Sequence, residues 1–192
     1  MPSRSPFSAM AYGPQFAKLL DSAGEMPLDA GDPDRDHRAA LDELTIESAF
    51  AAQTVVDSEM ASACCSGVWL RHNYLDESHN ISQRIKTPSG SFWHGIMHRR
   101  EGDFSNAKYW FRNVGDHPVY ESLAAEVGAL SDNAVQVIEA IAPGGAWDPY
   151  AFVDLCEEAV CGDGQHEPLC RAIQQREWEL LFDDCYQAAI TN

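Results

Sequence analysis

The chain has 192 residues, of which 45% are hydrophobic, and its 30 acidic against 13 basic side chains give a formal net charge of -17. That length and apolar share fit one domain around one core and exclude a disordered chain. So acidic a surface repels phosphate backbones and anionic headgroups, which excludes nucleic acid and membrane surfaces as expected partners.

No apolar run reaches the roughly 20 residues of a membrane helix. The opening residues, Met1 to Pro6, lack the apolar stretch of a signal peptide, so the expected location is cytoplasmic. Pro14 to Ser22 reads as a short helix with proline in its first turn and Gly24 beyond its end. Gly24 to Asp36 holds Pro27, Gly31 and Pro33 among acidic residues and reads as an exposed linker. Residues 1–36 are therefore expected to be flexible or loosely packed, and residues 37–192 to form the helical domain.

Helical spacing begins near Ala39 with Leu41, Leu44 and Phe50, and Asp57 or Ser58 is placed to cap the next helix. That helix is expected to continue through Ile85, with Leu70, Tyr74, Ile81 and Ile85 on one side. His72, Asp76, His79 and Gln83 fall on the other, which is either a solvated face or part of a site. Ser91 is expected to cap a helix from Phe92 to Glu101, on which His94, His98 and Glu101 project from one face at i, i+4 and i+7. Gly95 beside them leaves room for a backbone or a ligand.

Asp103 caps a helix from Phe104 to Val114 with Ala107, Trp110, Phe111 and Val114 as its buried stripe, and the two helices form a tight hairpin across Gly102. Pro118 opens a further helix, Asp132 to Ala142 repeats the pattern, Asp148-Pro149 starts another, and His166 to Ala189 closes the chain. No period-2 run suggests a strand. The expected fold is all-α: a single-domain bundle of antiparallel helix hairpins, locally like a tetratricopeptide repeat.

Cys64, Cys65, Cys156, Cys161, Cys170 and Cys185 form no C-x-x-C pair and read as reduced, structural thiols. The glutamate of H-E-x-x-H is replaced by Gly95, and neither G-x-S-x-G nor a glycine-rich phosphate loop occurs.

The segment Gly102-Asp103-Phe104-Ser105-Asn106-Ala107-Lys108-Tyr109-Trp110-Phe111 resembles the second helix of a tetratricopeptide repeat, without a second copy at a period of about 34 residues. The longer run Phe92-Trp93-His94-Gly95-Ile96-Met97-His98-Arg99-Arg100-Glu101 through Arg112 resembles the core of an uncharacterised family of bacteria and filamentous fungi. Ser78-His79 and Glu177-Trp178 extend the likeness. The resemblance implies a single helical domain and no particular activity.

Two functions are open at this point. The first is a small-molecule enzyme of lyase, isomerase, cyclase or hydrolase type, with His98, Glu101, His79 and Asp76 as its acid/base groups. In it Arg99, Arg100, Trp93 and Tyr109 would hold the substrate, and His94, His98 and Glu101 would ligate any divalent transition metal. The second is a helical adaptor that binds a protein partner through its aromatic hairpin. The sequence is compatible with a homo-oligomer.

Overall fold

The computed structural model describes residues 7–128 and 134–191. Eleven α-helices follow in order among them: α1 (Pro14–Leu20), α2 (Arg38–Asp42), α3 (Ile46–Ala49), α4 (Ser58–Arg71), α5 (Leu75–Ser82), α6 (Pro88–Arg100), α7 (Phe104–Val114), α8 (Pro118–Val127), α9 (Val135–Ile141), α10 (Pro149–Cys161) and α11 (Glu167–Ile190). Three short 3-10 turns join them, and the described residues contain no strand. The fold is all-α, as the periodicity predicts. Among the described residues, no helix is long and apolar enough to cross a membrane. The expected start of α9 at Asp132 and the opening six residues lie outside the described residues.

Local chemistry sets most helix boundaries. The carboxylate of Asp57 accepts from the Glu59 and Met60 N–H groups at the start of α4, and Asp148 does the same for Tyr150 and Ala151 of α10. Asp103 accepts from Asn106 N–H at α7. These side chains satisfy donors that a helix start leaves unpaired. For α6 the expected cap is one turn late: Thr87, not Ser91, accepts from Gly90 N–H, and Pro88 occupies the first turn. Its fixed φ and missing N–H suit that place.

The long helix expected from Ser58 to Ile85 is instead a hairpin. Asn73 takes a left-handed conformation at φ 62°, which asparagine tolerates better than most residues, and it ends α4 at Arg71. Its side chain is held on both sides, donating to Asp32 O at 2.9 Å and accepting from Arg100 at 2.6 Å. The α5 helix then folds back on α4, where the Ser66 and Ser78 hydroxyls meet at 2.9 Å.

Helix α6 runs through the middle of the molecule and is buried on every side from Ser89 to Arg100. Two glycines permit this. A Cβ on Gly67 of α4 would lie 2.8 Å from the Trp93 ring, and one on Gly95 would lie 3.0 Å from the Phe111 ring of α7. The space beside Gly95 is thus filled by Phe111 rather than kept for a ligand. Trp93 packs against Trp178 of α11, whose indole N–H donates to Gly67 O at 2.9 Å.

The N-terminal segment, expected to be loose, contributes buried Phe16, Leu19, Leu20, Met26 and Leu28 to the core. Arg100 donates to Asp29 O and Ala30 O, and Asp34 N–H donates to His72 O. A stretch rich in Pro, Gly and Asp reads locally as a linker. Here the anchoring groups come from α4, α6 and the turn after α4, out of reach of local pattern.

Candidate histidine site

The α4–α5 hairpin carries His79 onto the same side of α6 as His94 and His98. One nitrogen from each of the three rings lies within 4.8 Å of the others. Ring centres are 4.6 Å apart for His79 and His94, 4.7 Å for His94 and His98, and 5.5 Å for His79 and His98. The α6–α7 hairpin adds Trp110, whose ring centre is 4.0 Å from that of His94. His94 and His98 are only 2% and 5% exposed, and His79 is half-buried.

Outer groups hold two of the rings. Nδ1 of His98 lies 2.5 Å from Glu101 Oε1, which fixes the proton of the neutral ring on Nδ1 and leaves a lone pair on Nε2. The Asn106 amide nitrogen is 3.1 Å from Nε2 and 3.4 Å from Nδ1. A donor on the Nε2 lone-pair axis would lie much farther from Nδ1, so Asn106 sits beside the ring and leaves that axis open. Nδ1 of His94 is 3.0 Å from the Ser82 hydroxyl, which in turn reaches His79 O at 3.4 Å. Burial, followed by the neighbouring His98 and His79, pushes the His94 pKa down to about 3. That ring is neutral at physiological pH.

The other predicted site residues divide sharply. Glu101 is present, but as the partner of His98 Nδ1. Asp76 is exposed on α5 and makes no hydrogen bond to the histidines among the described residues. Arg99 is fully buried: it pairs with Glu177 Oε2 at 2.5 Å, reaches Gln174 Oε1 at 3.3 Å and lies over the Phe152 ring at 4.6 Å. Arg100 spends its donors on Asp29 O, Ala30 O, Leu70 O and Asn73 Oδ1. Both guanidiniums are therefore structural clamps whose terminal nitrogens are taken up by protein acceptors, with the buried Nε of Arg99 left without a partner. Trp93 is core, whereas Tyr109 is 52% exposed and edges onto Trp110 at 5.6 Å.

Sequence reading missed Ser82 and Asn106 and placed Trp110 in the core, where it is half-buried against His94. The signal for Ser82 was present, since it follows His79 by three residues and shares its helix face.

Two other clusters offer less. His72 has Nδ1 at 2.9 Å from Asp34 Oδ2 and Nε2 at 3.0 Å from Leu19 O, so both nitrogens are already taken up by protein oxygens. Ser89 Oγ lies 3.1 Å from His117 Nε2, with Asp184 Oδ2 at 3.9 Å from the same nitrogen. A nucleophilic triad needs its carboxylate on Nδ1. Here Nδ1 accepts from Val119 N–H at 3.3 Å, so the neutral ring donates from Nε2 to Ser89 and cannot take its proton. Five of the six cysteines are buried, and burial pushes the thiols of Cys65 and Cys185 up to about 12, away from thiolate chemistry.

Fold and site together define an all-α bundle with a half-enclosed group of imidazoles beside an indole. Comparison with family models, with curated proteins and with solved structures gave no match.

Proposed function

We propose that this protein is an enzyme acting on a small molecule at the cluster of His79, His94 and His98. One observation carries the reading: three imidazoles converge within 4.8 Å at the edge of a buried helix, although each could have bonded singly to a backbone carbonyl as His72 does. A packing role requires only that each ring be satisfied. Within the described residues the half-buried His79 side chain forms no hydrogen bond, so its ring is free to engage a bound molecule.

In this reading His98 is the proton-transfer group. Glu101 accepts from Nδ1, keeps the basic lone pair on Nε2 and stabilises the imidazolium formed when Nε2 takes a proton. The neutral His94, stacked on Trp110, presents a second lone pair at the same place. A positioned general base contributes about 10²–10⁴-fold in rate. Arg99 and Arg100 have no part in substrate binding, and Trp110, with Tyr109 against it, sets an aromatic face beside His94.

The adaptor reading draws on the exposure of Tyr109 alone. The discriminating experiment compares wild type, His98→Ala and Glu101→Ala in melting and in turnover of a panel of ester, amide, phosphoester and enolisable carbonyl substrates. The enzyme reading expects turnover by the wild type that falls at least about 100-fold in His98→Ala, with melting displaced by only a few degrees. A panel turned over equally by all three proteins would sink it, and so would no turnover at all.

A further inference from the structure

We infer that His79, His94 and His98 are the three protein ligands of a divalent transition-metal ion of the zinc class, and that Glu101 acts through His98 rather than as a ligand. This rests on the reading of the cluster as a chemical site and names what that site holds; with an ion bound, the Nε2 lone pair of His98 is a ligand, and His98 no longer takes the proton itself. The ring spacing is the first argument. A tetrahedral ion about 2.1 Å from each of three imidazole nitrogens separates the ring centres by about 5 Å. The observed separations of 4.6, 4.7 and 5.5 Å bracket that distance.

The hydrogen bonds are the second argument. A metal-bound histidine ordinarily donates its other N–H to a carboxylate, a carbonyl or another acceptor, which fixes the tautomer and turns the free lone pair toward the ion. His98 has Glu101 on Nδ1, and His94 has Ser82 on Nδ1, with the Ser82 hydroxyl in turn directed to His79 O. Both rings thereby offer Nε2. Glu101 bonds the edge of the His98 ring away from Nε2, so it cannot share an ion held there.

The remaining candidates lack this arrangement. In the group Asp34, His37 and His72, both nitrogens of His72 already face acceptors. The group His98, Glu101 and Asp103 holds a single imidazole, and the Asp103 carboxylate is engaged as the cap of α7.

Three imidazoles suit zinc, copper, nickel or iron, and three protein ligands leave the fourth position of a tetrahedral ion open. Such an ion lowers the pKa of a bound water to about 7 and supplies hydroxide at neutral pH. The fitting substrate class is a small molecule opened or hydrated by water.

The test uses cobalt(II), which reports a low-coordinate site through its visible absorption, added to the chelator-treated full chain. Wild type should develop the intense bands of a four- or five-coordinate ion and saturate near one equivalent. His79→Ala should lose them while keeping its helical circular dichroism, and His79→Gln serves if the alanine variant fails to fold. Glu101→Gln should keep the bands with affinity lowered about 10–100-fold.

No bands in the wild type would overturn the inference. Bands kept in His79→Ala but lost in Glu101→Gln would also overturn it, by making Glu101 the ligand. The proposed enzymatic role fails separately: bands without turnover sink only that role, and metal-independent turnover without bands sinks only the metal.

Discussion

Burial is the largest cause that holds His117 and His94 neutral. It pushes the His117 pKa down to about 4, even with Asp184 Oδ2 at 3.9 Å, and it is the first cause for His94 at about 3. In the unfolded chain both titrate near 6.5. Between that value and about 4 the unfolded state binds more protons, so stability declines as pH falls through this window and levels off below the folded values. His117→Asn replaces the capping Nδ1 with a capping amide oxygen and removes one of the two titrating rings. Melting temperature should therefore fall less between pH 7.5 and pH 5 in His117→Asn than in wild type; equal losses would contradict the assignment. At this scale the sequence was informative about residue types and silent about partners. The spacing of His94, His98 and Glu101 was legible, and the bond between His98 and Glu101 follows from it. Arg99 and Arg100 read as a substrate fork only because Glu177 lies 78 positions away and Asp29 lies 71 positions away, in segments that only the fold brings near.

Among elements, α6 and its neighbours decide whether the imidazoles meet. The close approach of α4 and α6 depends on Gly67, where an added Cβ would sit 2.8 Å from a Trp93 ring that is fully buried and has nowhere to move. Alanine gains about 1 kcal/mol of helix propensity over glycine, while overpacking a full core costs about 1–3 kcal/mol. Gly67→Ala should therefore melt several degrees below wild type, despite its better propensity. A higher melting temperature would mean that the α4–α6 contact is looser than the geometry says. Most helix boundaries were legible because caps and first-turn prolines are local signals. The break at Asn73 was not, since the apolar period carries across it while a left-handed residue ends the helix. That break supplies the third histidine, so the sequence placed His94 and His98 on one face and left His79 as a candidate without a geometry.

Over the whole molecule, the main departure from local pattern is the N-terminal segment. Burying each of Phe16, Leu19, Leu20, Met26 and Leu28 contributes about 1.5–3 kcal/mol, together comparable with the about 5–15 kcal/mol that holds a domain folded. A chain beginning at His37 should therefore lose its cooperative thermal transition; a transition at the wild-type temperature would restore the view of residues 1–36 as a loose extension. The same strap fixes α6 through Arg100, so an intact core and an assembled histidine cluster are one structural state. The most direct measurement of what that state is for is anomalous scattering at the zinc edge, from crystals of the full chain grown with one equivalent of zinc. The account predicts one strong peak about 2.1 Å from a nitrogen of each of His79, His94 and His98. A peak among Asp34, His37 and His72, or no peak at the α5–α6 cluster, would contradict it.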